Sequence, residues 1–216
     1  PPAILAVVMV VSVVIAVVIQ RASGVSTPSA DYIEGARYNS GVVWSLPGFL
    51  IYYGVQAVST TYPFGLALGT TRRNFILGTV IANAIQSAYV TLLLLALLGL
   101  ELATGHWFIG VYVLDTYALG AGNPGILAAT GFLGTLFCLT VGGVFGAVWV
   151  RFGPKGPMLL GFALALVVVF ALFLLAPRLG EIVASLTGGG VALGAAVAIV
   201  LALVGTWFAM RRASVR

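Results

Sequence analysis

Stretches without a charged side chain divide the chain into six blocks, at 1–20, 38–71, 74–100, 116–150, 156–177 and 182–210. Within them the apolar residues are nearly continuous, without the strict alternation of a half-buried strand or the narrow stripe of a surface helix. Each block reaches the ~20 residues that an α-helix needs to cross ~30 Å of hydrocarbon. Trimmed at glycines, prolines and polar clusters, the pattern predicts spans at 2–20, 42–61, 76–100, 126–150, 157–176 and 190–210. Helices are required because backbone facing lipid must satisfy its own hydrogen bonds. A transmembrane β-barrel shows short alternating segments instead. The expected fold is an all-α membrane protein, one transmembrane domain over 1–216 with six transmembrane helices. The chain opens on "PPAILAVVMV", without Met and already inside a hydrophobic run. A further N-terminal segment is therefore expected upstream of residue 1. No basic residue precedes the run and it is long for a signal sequence.

Composition removes whole classes of function. The 216 residues are 61% hydrophobic and 7% charged, whereas soluble domains carry roughly a quarter charged residues. Nucleic acid is no expected partner, because phosphate binding needs clustered Lys and Arg. Cys138 is the one cysteine and His106 the one histidine, so an intrachain disulfide is impossible and no metal site is expected.

The loops set an orientation. With six alternating spans, segments 62–75, 151–156 and 211–216 share a face, which holds Arg72, Arg73, Arg151, Lys155, Arg211, Arg212 and Arg216 of the 10 basic residues. Arg21, Arg37 and Arg178 lie on the other. The positive-inside rule puts the richer face, with the N- and C-termini, in the cytoplasm. All 5 acids (Asp31, Glu34, Glu101, Asp115 and Glu181) fall on the opposite side, where solvated carboxylates are expected. Trp44, Trp107, Trp149 and Trp207 sit near span ends, at the headgroup level that amphipathic rings favour.

One cytoplasmic connection stands out: "YPFGLALGTTRRNFILGT", residues 62–79. Pro63 lacks a backbone donor and disfavours helix at the residue before it, so the second span is expected to close there. "FGLALG" then offers one or two turns of a separate short helix. Phe64, Leu66 and Leu68 supply apolar contact, and Arg72 and Arg73 add two cations. An ordinary interfacial turn anchored on lipid headgroups accounts for the same residues.

Six spans, an internal N-terminus and this stretch resemble the integral-membrane permease of type-2 ATP-binding-cassette (ABC) exporters. The family pattern is Pro–apolar–Gly–x–[Ser/Thr]–Arg–[Arg/Lys], then a bulky residue and Gly opening the third span. Pro63, Phe64, Leu66, Leu68, Gly69, Thr71, Arg72, Arg73, Phe75 and Gly78 fill it. The resemblance implies that a short cytoplasmic coupling helix between helices 2 and 3 docks into a nucleotide-binding ATPase subunit. It further implies a second permease copy or paralogue, ATP and Mg bound on the partner ATPase, no cofactor on this chain, and a place in the prokaryotic inner membrane among its lipids.

No Asp, Glu, Lys, Arg or His lies inside a predicted span core, which argues against a proton relay. Polar uncharged groups gather on the second and third spans as Gln56, Ser59, Thr60, Asn83, Gln86, Ser87 and Thr91. Asn83, Gln86, Ser87 and Thr91 follow three-and-four spacing and share a helix face. That face forms interhelical hydrogen bonds or lines a translocation path, and does both at a dimer seam. Small residues at every fourth position (Gly142 and Gly146; Gly190, Gly194, Ala198 and Ala202) are expected to let backbones approach closely. In "ELATGHWFIGVYVLDTYALGAGNP", 101–124, the aromatics point to an interfacial or re-entrant piece, with His106 as an interface residue.

No catalytic residue is expected. A serine protease needs a base near its nucleophile, and "RFGPKGP" lacks the Gly-x-x-x-x-Gly-Lys-[Ser/Thr] of a phosphate loop, so any ATPase is a separate polypeptide. The leading expectation is an exporter of lipophilic or amphipathic cargo (drug, lipid or peptide). The alternative is an ion-coupled secondary carrier or a non-transporting membrane scaffold.

Overall fold

The structure, a computed structural model, describes residues 2–23, 29–38, 41–185 and 187–211. Among these residues there are eight α-helices and no strand: α1 (Pro2–Ser23), α2 (Ala30–Arg37), α3 (Gly41–Ala67), α4 (Arg72–Ala103), α5 (Pro124–Phe152), α6 (Lys155–Leu175), α7 (Leu179–Ser185) and α8 (Gly188–Arg211). Six of them, α1, α3, α4, α5, α6 and α8, are long and apolar enough to cross a membrane. Each overlaps one predicted span. The ends generally run a few residues further, because a helix continues past its last apolar position until a cap or a turn stops it.

The largest difference lies at the end of α3. It does not stop at Pro63 but runs through it to Ala67, so no separate coupling helix exists between α3 and α4. A proline's fixed φ is helical, and its cost is one lost backbone bond, here to the Ser59 carbonyl. Nearby, Thr60 and Thr61 donate their hydroxyls to the Gln56 and Ala57 carbonyls, so side chains supplement the backbone ladder there. The short α2 is a second element that span counting did not predict. Ser29 caps it by accepting the Tyr32 amide.

The chain forms two compact units, 1–50 with 84–136, and 51–83 with 137–216. In the first, Leu5 and Met9 of α1, Val90, Leu94 and Leu98 of α4, and Leu127 of α5 form the core. Val111, Val113 and Leu114, from the connection between α4 and α5, pack into it, so that connection is built into the core.

In the second unit α3 and α5 cross with their backbones in contact. A Cβ on Gly54 would strike the Leu139 carbonyl, and one on Gly142 the Ile51 carbonyl. A Cβ on Gly146 would lie 2.7 Å from the Val55 carbonyl. The expected close approach at Gly142 and Gly146 is therefore present. At Gly194 nothing lies within 4 Å, and Gly190 meets only the Thr187 hydroxyl of its own connection. The small residues of α8 thus make no close approach at these two positions. Val58, Tyr62, Ile76, Ala147, Ala209 and Met210 form the core of this unit. Along α6 only Gly156 is buried, which suits a helix apolar on every side and surrounded by lipid.

Candidate functional site

The corner joining α3 to α4 is closed by hydrogen bonds at both helix ends. The Gly69 amide donates to the Leu66 carbonyl at 3.0 Å and the Thr70 amide to the Gly65 carbonyl at 3.0 Å. This paired pattern, with Gly69 at φ 86°, satisfies the last carbonyls of α3 and needs a left-handed residue that glycine adopts without strain. Thr71 begins the next helix: its carbonyl accepts from Phe75 at 2.9 Å and its hydroxyl from Asn74 at 3.3 Å. Tyr62 and Phe75 meet edge to face with centroids 5.1 Å apart, tying the two helix ends together. Gly65 lies under Phe75, whose ring leaves 3.2 Å for a Cβ there.

That corner presents Phe64 and Leu68 outward, 66% and 70% exposed, beside exposed Arg72 and Arg73. Leu66 is half-buried and packs on the Tyr62 cluster. The two arginines occupy the first two positions of α4, whose first turn holds no acid. Cations there oppose the helix dipole, which favours anions at this end. Helix stability does not explain them.

The polar face of α4 is largely buried. Asn83 is 8% exposed, Ser87 0% and Thr91 6%. Thr91 donates to the Ser87 carbonyl at 2.7 Å, and a Cβ on Gly131 of α5 would lie 3.5 Å from the Thr91 hydroxyl oxygen. Gln86 is half-buried, its Nε2 covered and without a partner among the described residues. Gln56, on α3, donates to the Tyr52 hydroxyl one turn earlier at 2.8 Å.

A second polar cluster, which sequence reasoning missed, sits in the first unit. The acids were expected to be solvated. Instead Glu101 is fully buried and Asp115 is 2% exposed. Glu101 accepts three consecutive backbone amides, from Val113 at 3.0 Å, Leu114 at 2.8 Å and Asp115 at 3.2 Å. An ionised carboxylate bound this way exchanges water for fixed donors, the condition under which a charge is tolerated inside a protein. Asp115 in turn accepts from Arg37 of α2 at 3.0 Å and lies 3.0 Å from His106 Nε2. The hydrogen bond to Asp115 holds the Arg37 guanidinium above its ordinary range despite the opposing effect of burial. His106 stacks on Tyr112 with centroids 4.0 Å apart, so it belongs to this network. Burial pushes the Tyr112 phenol up. Tyr32 donates to the Gly110 carbonyl at 3.1 Å, and Gln20 to the Ile109 carbonyl at 3.2 Å.

These bonds hold an unusual backbone. His106, Trp107 and Phe108 have φ values of 61°, 60° and 61°, a left-handed turn that costs non-glycine residues roughly 1–2 kcal/mol each. Such strain persists only where surrounding contacts over-determine it. The pairing of Arg37 with Asp115 also shows that the connections before α3 and after α4 lie at one end of their unit. An alternating series of spans requires this.

Among the described residues no group of three His, Cys, Asp or Glu side chains is arranged to hold a metal ion. Fold and site together define an all-helical, multi-pass membrane protein. No protein family, curated protein or solved structure matches the chain.

Proposed function

We propose that this chain is the membrane-spanning permease subunit of an ABC exporter, driven by ATP and magnesium bound on separate nucleotide-binding subunits. The observation that carries this reading is the α3–α4 corner. It is a hydrogen-bonded turn offering two exposed apolar side chains, Phe64 and Leu68, beside two cations at a helix end that disfavours them. The resemblance of residues 62–79 to the family's coupling segment points the same way. In this reading the coupling element is the end of α3 with its turn, a continuous lever rather than a hinged helix. The corner, the α5–α6 connection and both chain ends face the cytoplasm of a prokaryotic cell. A second permease copy or paralogue completes the pathway, and the cargo is lipophilic or amphipathic.

The mechanism asks little of this chain chemically. ATP closes the ATPase pair, and the two ATPase states must hold the corner differently in position or strain, because an equally held corner transmits nothing. Since α3 is unbroken from Gly41 to Ala67, displacement of the corner moves the whole helix. Its contact at Gly54 and Gly142 passes the motion to α5.

Tagged and purified in mild detergent from its own cells, the protein is expected to bring down a P-loop ATPase in stoichiometric amount. Gly69→Ala with Arg72→Glu and Arg73→Glu should release that ATPase while leaving a monodisperse six-helix protein. A solitary chain that catalyses ion-coupled uptake in liposomes would sink the proposal.

A further inference from the structure

The corner joining α5 to α6, in the second unit, holds two cations of its own. Gly153, at φ 70°, closes the turn. Its amide donates to the Trp149 carbonyl at 2.8 Å, and the Gly156 amide donates to the Gly153 carbonyl at 3.0 Å. Arg151 lies in the last turn of α5 and Lys155 begins α6. The Arg151 guanidinium is positioned twice, by a 3.3 Å hydrogen bond from Nη1 to the Phe208 carbonyl and by the Phe152 ring, 4.7 Å away. Neither contact is an anion, so both fix the cation without neutralising it. Lys155 is exposed, and the first turn of α6 holds no acid. Among the described residues the ion pairs, Arg37 with Asp115 and His106 with Asp115, both belong to the first unit. The second unit's one acid, Glu181, follows the far end of α6, ~30 Å along the helix.

An apolar face continues from this pair. Positions 155, 159, 162 and 166 follow three-and-four spacing and fall on one side of α6. Leu159, Phe162 and Leu166 are all exposed there, as is nearly the whole helix, which buries only Gly156. From Lys155 to Leu166 the helix rises ~16 Å, close to the ~15 Å of hydrocarbon in one leaflet. Cations at headgroup level thus stand directly above one leaflet's depth of uncovered apolar surface. Trp149 and Phe152, both exposed beside the cations, suit the same level.

We infer that the α5–α6 corner binds an acidic phospholipid of the phosphatidylglycerol type, its phosphate held by Arg151 and Lys155 and an acyl chain lying along Leu159, Phe162 and Leu166. Charge complementarity selects this occupant. A guanidinium with donors beyond its one bond to Phe208 suits a phosphate, and a headgroup with net negative charge balances the pair. A zwitterionic headgroup brings a cation of its own, for which this corner has no carboxylate, while the Phe152 ring already carries Arg151. The inference stands apart from the exporter reading, because the cation pair and its face belong to this chain whether or not an ATPase docks at the α3–α4 corner.

Phosphatidylglycerol carrying a diazirine midway along one acyl chain tests it on the purified full chain in phosphatidylcholine nanodiscs. Photolabel is expected on the peptide covering 155–170. The phosphatidylcholine form of the probe should label that peptide about 25-fold less, at about fivefold for each cation facing an acidic lipid. Lys155→Gln should reduce labelling by the acidic probe about fivefold, and Lys155→Arg should restore it. Arg151→Gln should show a similar loss; if that variant does not fold, the Lys155 pair decides. Arg178→Gln, at the far end of α6, should change nothing. Equal labelling by the two probes, label spread evenly over all six spans, or indifference to Lys155→Gln would each overturn the assignment. Crosslinks between the α6 helices of two copies, in place of lipid label, would overturn it in favour of a second chain. Loss of ATPase co-purification with this labelling intact counts against the exporter reading alone.

Discussion

Glu101 ends the polar count of α4 with a charge that has no exposed surface. Its stability rests on three amides that a carboxylate can accept together and that a carboxamide cannot, since the amide's NH₂ would face donors. Glu101→Gln is therefore expected to lower stability by about 1.5–3 kcal/mol, the range for hydrogen bonds to a charged group. Glu101→Asp should lose part of this, because the shorter side chain reaches fewer of the three donors. Thermal unfolding in detergent checks both, and an unchanged midpoint for Glu101→Gln would show that the carboxylate is dispensable. Such a residue was illegible beforehand. Its partners lie 12–14 positions away in an irregular segment, and no periodicity announces which loop acid folds inward. Arg37 and Asp115, 78 residues apart, were hidden for the same reason.

Among the elements, glycines separate a pattern from its use. Gly142 and Gly194 both sit in small-residue series on apolar helices, and both invite the same packing argument. In the fold Gly142 touches the α3 backbone while Gly194 has nothing within 4 Å. Gly142→Leu should thus abolish a stable monodisperse protein, whereas Gly194→Leu should leave the unfolding midpoint unchanged. Size-exclusion profiles with thermal scans distinguish the two; equal tolerance would show that α3 and α5 do not cross at Gly54. The corner teaches a related lesson. Pro63 is a true local signal, but a proline costs one bond, and the packing of Tyr62 on Phe75 holds the helix past it. Gly69 closes the turn and Thr71 caps α4, roles that the sequence pattern had not assigned to them.

For the molecule as a whole, the parity of the spans is the property on which function turns. Arg37 meets Asp115 in one unit, and Arg151 donates to the Phe208 carbonyl at 3.3 Å in the other. Within its own unit, the first contact joins the connection before α3 to the one after α4, and the second joins the end of α5 to the end of α8. Cys138 is buried at 6% exposure, so a polar maleimide should leave the natural thiol unlabelled. Glu34→Cys is then expected to react in intact cells, and Leu68→Cys only after the membrane is opened. Both reacting from outside would invalidate the orientation drawn from the arginines and, with it, any docking of a cytoplasmic motor at the corner.

The apolar blocks alone determined that six helices long enough to cross a membrane form and, α3 apart, roughly where they end. Hydrocarbon thickness and the demand for backbone hydrogen bonds act on a segment without reference to its neighbours. Only the tertiary structure decided which acids are buried, which glycines meet a backbone and where α3 stops. Those outcomes depend on atoms distant in the chain, whose approach is set by the packing of whole helices.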